Sequence, residues 1–245
     1  MNELALFAGA GGGLLGSKLL GWNPICGVEK DPHCIGVLLQ RQNDGQLPPF
    51  PIWDEVETFD GRPWKGIADV VSGGFPCQDI SRAGTGKGID GERSGLWFHM
   101  ARIISEVLPR FVFVENSSTL TSRGLHRVCA DLSRMGYDSA WGTFEADHYG
   151  FPQKRKRLYL VAHSMCRNSQ MGGHISGSGW KPEQIQEHLA RTAKSEPPMV
   201  GMVDGMANRM GRLKAIGNGQ VPAVAAHAFL ILSNRIIQKQ KIRKS

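Results

Sequence analysis

The chain has 245 residues, 41% hydrophobic and 21% charged, which excludes a disordered or fibrous class and suits one large domain or one domain plus a small lobe. Its formal charge of +7 favours a polyanionic partner. No apolar run approaches the ~18 residues that span a bilayer, the start MNELALFAGAGGG lacks a secretory basic region, and the five scattered cysteines form no CxxC pair, so the expectation is a cytoplasmic chain with free thiols and no metal site.

In chain order, Leu4 to Phe7 reads as a short buried strand. It runs into Phe7-Ala8-Gly9-Ala10-Gly11-Gly12-Gly13 and then a helix. Glycines there allow positive φ and a close backbone approach, and a helix start offers unpaired N–H groups. The next strand, Pro24 to Val28, ends at Glu29, about twenty residues on, where a carboxylate can accept from both hydroxyls of a ribose. Two readings are open: a nucleoside-binding loop, or an ordinary strand-to-helix turn. No Walker lysine pattern follows, so ATP chemistry is not indicated.

A strand over Asp69 to Ser72 leads into Gly73-Gly74-Phe75-Pro76-Cys77-Gln78. A cysteine just past a strand end stands where α/β enzymes place nucleophiles; a small buried hydrophobe is the other reading. Trp97, Met100, Ile103, Ile104, Val107 and Leu108 share one helical face. The strand Phe111 to Val114 then delivers Glu115-Asn116, a carboxyl placed either for proton donation after desolvation or for helix capping. A helix follows over Leu125, Val128, Cys129 and Leu132, with Gly136 as its cap.

Gln153-Lys154-Arg155-Lys156-Arg157 precedes the strand Leu158 to Ala162. Alternation puts Arg155 and Arg157 on one face, as an anion site or a solvated strand edge. Residues 165–211 are rich in glycine and methionine and show no strand period, so they read as a small loop-rich lobe. A Gly-Asn-Gly turn and the apolar helix Val221 to Leu232 form a returning segment over 212–233. A tail over 234–245 carries Arg235, Lys239, Lys241, Arg243 and Lys244 without an acid, as a frayed helix end or a nucleic-acid contact. Strand and helix alternation over 1–164 predicts an α/β fold: a doubly wound, mostly parallel sheet, with ligands at the carboxyl ends of its strands.

These motifs, in this order, resemble the DNA (cytosine-5) methyltransferase family. FAGAGG is similar to its cofactor loop, GGFPCQDIS to its nucleophile loop, ENS to its ENV triplet, QKRKRLYLVA to its QxRxR motif and RLKAIGNGQVP to its final motif. The ordered set covers about residues 3–164 and 208–232. The resemblance implies the sheet of S-adenosylmethionine-dependent methyltransferases, with 1–164 as catalytic and cofactor-binding domain and 165–211 as target-recognition lobe. The cofactor would be S-adenosyl-L-methionine, held by Phe7, Ala8, Gly9, Gly11, Gly12, Glu29, Asp54, Pro76, Leu96, Asn218 and Val221. Cys77 would attack carbon 6 of a flipped cytosine and Glu115 would protonate ring N3. Asn116, Gln153, Arg155 and Arg157 would complete the catalytic set. The Ser81 to Ser94 loop would close over DNA.

Duplex DNA is the implied partner of a small bacterial or phage enzyme, with no membrane and no metal; a cognate restriction enzyme or a specificity partner is left open. Three departures stand out. Ser117 replaces the usual Val, Ala5 replaces an acid at the start of the first motif, and the recognition region is short. Sequence reading would fall to residues 165–196, with Arg167, Asn168, His174, Trp180, Lys181 and Arg191. A tRNA-modifying enzyme and a catalytically inactive DNA-binding relative are the alternatives.

Overall fold

A computed structural model of the chain describes residues 1–76, 95–151, 154–165 and 219–243. Among these, one seven-stranded sheet has the order β3-β2-β1-β4-β5-β7-β6. Its strands are β1 (Asn2–Leu6), β2 (Asn23–Val28), β3 (Ile52–Trp53), β4 (Val70–Gly73), β5 (Phe111–Ser117), β6 (Tyr137–Glu145) and β7 (Lys156–Ser164). The first five pair in parallel, and β7 lies antiparallel between β5 and β6. The helices are α1 (Gly12–Leu19), α2 (Pro32–Asn43), α3 (Gly95–Val107), α4 (Leu120–Arg123), α5 (Leu125–Arg134) and α6 (Pro222–Ile242). The strand order runs outward from β1 in one direction and from β4 in the other. The crevice between them is the switch point where such sheets bind ligands.

Alternation along β5 explains why the sheet needs two layers. Phe111 and Phe113 pack with Tyr159, Val161, Phe229 and Leu232 beneath α6. Val112 and Val114 pack with Trp97, Met100, Ile103, Val107, Val128 and Leu132 of α3 and α5. A strand buried on both faces is continuously apolar, and this is why β5 was legible as a run rather than an alternation. Gly136, with φ 84, follows α5 as expected of a left-handed cap.

Three features depart from the sequence reading. β6 gave no clear signal because it is an edge strand whose side chains are mostly half-exposed. β5 extends three residues past its apolar run and β7 two residues at each end of its own; the extensions Glu115 to Ser117 and Lys156 to Arg157 carry the site. α6 continues without a break through the boundary expected at 233. Its end is pinned: Gln240 Oε1 lies 3.0 Å from His163 Nδ1, Gln240 Nε2 donates to Asp138 at 3.0 Å, and Arg243 pairs with Asp138 at 3.2 Å. His163 and Arg157 lie at opposite ends of β7, about 20 Å apart at the rise of a strand. The described part of the basic tail is therefore a docked helix end, far from the carboxyl edge of the parallel strands. Cys77, Gln153, Asn218, the Ser81 to Ser94 loop and all of the 165–211 lobe except Met165 lie outside the described residues. Among the described residues no helix is long and apolar enough to cross a membrane.

Glu3 is a buried acid in this core. Ser72 Oγ donates to its Oε1 at 2.5 Å, and burial raises its pKa to about 7, with hydrogen bonds from Ser72 and Ser17 offsetting only part of the rise. A raised carboxyl pKa means the folded state holds its proton longer than the unfolded state. Its stabilising contribution is present below about pH 4.5 and is lost as pH rises through about 7. The loss is at most ~3 kcal/mol. Glu3→Gln is expected to lack this dependence, so its melting temperature relative to the parent should rise between pH 5 and pH 8. Parallel melting profiles for the two proteins across that range would refute the assignment.

Candidate active site

The carboxyl ends of β1, β2, β4 and β5 open into a cleft of about 420 Å³. Its floor begins with the glycine loop. The backbone turns left-handed at Phe7 (φ 52), Gly9 (φ 56) and Gly11 (φ 84). A phenylalanine in that region is strained, a condition common at ligand sites. The loop is tied to β2 by Ala8 N–H to Val28 O (3.1 Å) and Gly9 N–H to Glu29 Oε2 (2.7 Å). Glu29 Oε1 accepts from Asp31 N–H at 2.8 Å. Each oxygen thus holds one backbone donor and keeps a lone pair for a ligand hydroxyl. Leu15 N–H makes the bond to Gly11 O that opens α1, and no side chain caps the helix start. The amides of Gly12, Gly13 and Leu14 come before that bond, which suits a ligand carboxylate.

The segment before α6 crosses over this helix start. A Cβ on Gly12 would lie 2.5 Å from Gln220 O, and one on Gly16 would lie 2.6 Å from Pro222 O. Gly12→Ala must therefore push the 219–222 segment off the cleft. We expect it to weaken cofactor binding at least tenfold, by roughly 1.4 kcal/mol or more. Gly36→Ala is the control: its Cβ meets nothing within 4 Å on the exposed face of α2, so a gain of about 0.5–1 kcal/mol is expected. Calorimetric titration and thermal melts of both variants test the pair; equal binding by Gly12→Ala would contradict the crossing.

The catalytic end is built by the register of β5 and β7. Glu115 faces Tyr159 and Ser117 faces Arg157, so Glu115 and Arg157 are diagonal neighbours on one face. Arg157 Nε lies 3.0 Å from Glu115 Oε1. Glu115 is only 7% exposed, and burial raises its pKa to about 7, although the Arg157 and Arg155 charges pull it down. Desolvation wins, lifting the carboxyl toward neutrality. Gly74 packs against it: a Cβ there would lie 2.9 Å from Glu115 Oε2. Asn116 points to the other face of β5, where its Nδ2 donates to Phe75 O at 3.1 Å and its Oδ1 accepts from Ser117 N–H at 2.8 Å. It thereby holds the end of the segment that leads to Cys77. Arg155 donates through Nη2 to Gly219 O, joining the strand entry to the segment before α6.

Of the expected cofactor residues, Phe7, Ala8, Gly9, Gly12, Glu29, Asp54, Pro76 and Leu96 all line the cleft. Gly11 lies behind it as the helix cap, and Val221 packs instead against the α6 core. Gln220 and Gly219 line the cleft in place of Val221. The Gly-Asn-Gly-Gln turn marked this stretch, but only the crossing of the segment over α1 reveals which side chain faces inward. Glu115 and Arg157 line the same cleft, and Arg155 stands just behind it. Ser117 also lines it, with its hydroxyl 2.9 Å from Thr119 Oγ1, so the Val-to-Ser departure places a satisfied hydroxyl at the site.

Six acids (Glu29, Asp31, Asp54, Glu55, Glu57, Glu115) and two bases (Lys30, Arg157) line the cleft, in a chain whose overall charge is positive. Acid-rich walls favour a ligand with cationic groups. Phe7, Val28, Val56, Phe75, Pro76 and Leu96 add apolar surface. A glycine cradle, a ribose-suited carboxylate and acidic walls fit the amino acid, nucleoside and sulfonium parts of S-adenosyl-L-methionine.

A seven-stranded sheet in this order, with such a cleft at its switch point, is the α/β fold of the methyltransferase class. The family described as C-5 cytosine-specific DNA methylase matches residues 1–218, and the chain belongs to it. The type II methyltransferase M.Eco47II of Escherichia coli is 34% identical over 164 residues, 65% of this chain and 38% of that protein. M.HhaI of Haemophilus parahaemolyticus is 33% identical over 176 residues, 69% of this chain and 51% of that protein. The chain thus spans about half or less of the length of these two relatives. Among solved structures, the Entamoeba histolytica methyltransferase EhMeth superposes with a TM-score of 0.65 over 93% of this chain and 96% of that one; at 12% identity this is a likeness of fold.

Proposed function

We propose that this chain transfers a methyl group from S-adenosyl-L-methionine to carbon 5 of a cytosine flipped out of duplex DNA. The observation that carries the proposal is the buried Glu115 paired with the half-buried Arg157, set in the same cleft as the glycine loop, Glu29 and Pro76, whose next residue is Cys77. When bound, the cofactor supplies an electrophilic methyl group. Phe7, Ala8, Gly9, Gly12, Glu29, Asp54, Pro76, Leu96 and Gln220 would hold it.

Carbon 5 of cytosine is a poor nucleophile. The Cys77 thiolate would form a bond to carbon 6, and the displaced electron pair would make carbon 5 enamine-like. Glu115, in its protonated form, would donate to ring N3 and neutralise the charge that gathers there. Arg157 would hold the carboxyl in place and stabilise it once ionised. Arg155 would keep the Gly219 segment closed over the cleft, and Asn116 would hold the Phe75 carbonyl and so the approach of Cys77. After methylation, water would take the carbon 5 proton, the electron pair left behind would re-form the carbon 5–carbon 6 double bond and expel Cys77 as thiolate, and ring N3 would return its proton to Glu115. The target base must leave the stack for any of this to occur.

The test is transfer of radiolabel from S-adenosyl-L-methionine to unmethylated duplex DNA, with tRNA assayed in parallel. Label recovered as 5-methylcytosine in DNA is expected. Label in tRNA alone would overturn the substrate, and label in neither, from folded and cofactor-bound protein, would overturn the activity.

A further inference from the structure

We propose that the Arg102–Glu106 pair of α3 is a positioning element for the adenosine half of the cofactor, acting through the 54–61 loop. The inference rests on reading the cleft as the S-adenosyl-L-methionine site. Neither side chain lines the cleft, so any effect must pass through the loop.

The loop needs an anchor because the sheet gives it little. β3 pairs with β2 at only two positions, Gly27 with Ile52 and Val28 with Trp53. The chain then leaves the sheet, and the next four residues, Asp54, Glu55, Val56 and Glu57, all wall the cleft. Backbone groups outside a ladder still require partners. Here one guanidinium supplies them. Arg102 Nη2 donates to Val56 O at 2.9 Å and to Glu57 O at 3.4 Å, and Nη1 donates to Phe59 O at 2.9 Å. Nη1 also meets Glu106 Oε1 at 2.8 Å and Oε2 at 3.1 Å. Glu106 Oε2 in turn accepts from Gly61 N–H at 2.8 Å. The fit is close, since a Cβ on Gly61 would lie 2.9 Å from that same oxygen. Three carbonyls and one amide of the cleft-wall loop are thus tied to a single helical turn of α3.

A partly exposed i,i+4 ion pair contributes little by itself. The planar fork matters here because it satisfies several carbonyls at fixed angles, which an ammonium cannot copy. Val56 and Phe59 bury their side chains and keep the loop attached to the core, so loss of the fork should loosen the loop rather than unfold the chain. The same helix places Leu96 directly in the cleft. α3 therefore shapes the site twice, once by contact and once through the loop.

Arg102→Lys is the decisive variant, with Glu106→Gln as a second one that removes the charge but keeps an acceptor for Gly61. The full-length protein is compared with both by amide hydrogen exchange without ligand, by calorimetric binding of S-adenosyl-L-homocysteine, and by steady-state methylation of duplex DNA. Exchange over 54–61 should accelerate at least tenfold while β1, β4 and β5 stay protected. Kd for S-adenosyl-L-homocysteine and KM for S-adenosyl-L-methionine should rise about tenfold together, with kcat at saturation within twofold. Glu106→Gln should move the same quantities in the same direction by less. A loosened loop with unchanged Kd would overturn the inference, as would uniform loosening of the whole sheet. Parent protein that fails to bind S-adenosyl-L-homocysteine would overturn the reading of the cleft, and the inference with it.

Discussion

Replacing Cys77 with alanine is expected to abolish methyl transfer while leaving cofactor affinity within about twofold. The asymmetry follows from where the chemistry divides. The proposed cofactor residues lie on the glycine loop, at Glu29 and along the 54–57 wall, whereas Cys77 is the next residue in sequence after Pro76, which lines the same cleft. Cytosine does not become nucleophilic at carbon 5 until a group adds at carbon 6, so no partial route remains without the thiolate. The expected loss exceeds the ~10²–10⁴ ascribed to a general acid alone. Radiolabel transfer and calorimetric titration with S-adenosyl-L-homocysteine, on the same preparation, separate the two effects. Full turnover by Cys77→Ala would remove the nucleophile assignment, and loss of both activities together would turn Cys77 into a structural residue.

Glu115→Gln is expected to lower kcat by ~10²–10⁴. The glutamine keeps the size of the side chain and can still donate a hydrogen bond, but it cannot release a proton. The pH profile gives the sharper reading. Burial lifts the Glu115 pKa to about 7, so the carboxyl is protonated below that pH and ionised, paired with Arg157, above it. A proton donor fails when it is ionised; activity that depends on Glu115 should therefore fall as pH rises above about 7. The thiolate requirement at Cys77 acts in the opposite sense, so the parent enzyme should show a bell. Glu115→Gln should lose the falling alkaline limb and retain the rising one. An unchanged bell in the variant would falsify the assignment of that limb to Glu115.

The pairing with Arg157 explains why this carboxyl is tolerated in the core. A buried acid without a partner would stay neutral well above pH 7, while a fully paired one would be ionised well below it. Glu115 sits between these limits because burial and two arginines act against each other. Glu3 reaches the same value of about 7 with the Ser72 and Ser17 hydroxyls and the chain's amino terminus, in place of arginines, acting against its burial. The Glu3 titration bears on stability, and that of Glu115 on the proposed catalysis.

Much of this protein was legible before any coordinates. The apolar runs at Leu4, Pro24, Asp69, Phe111 and Leu158 mark strands that the sheet buries on both faces, so hydrophobicity alone reveals them. The glycines after Phe7 announce a backbone that turns left-handed, and Gly9 and Gly11 do so. Glu29, Glu115 and Arg157 could be picked out because charge at the end of an apolar strand is conspicuous in sequence. β6 escaped notice because an edge strand with half-exposed faces has no strong period.

Tertiary structure alone decided the rest, since it depends on contacts between residues far apart in the chain. That Gln220 rather than Val221 faces the cleft follows from the way its segment crosses Gly12 and Gly16, about two hundred residues earlier. That Glu115 meets Arg157 follows from the antiparallel register of β5 and β7, which no local pattern encodes. That the basic end of α6 is pinned beside His163 follows from the length of an unbroken helix packed along the sheet. Local sequence determined which elements form and which chemical groups stand at their ends, because propensity and burial act over a few residues. The pairing of those groups into a site was set by the packing of the sheet and its helices, because ion pairs and shared carbonyls require positions that only the folded chain brings within 3 Å.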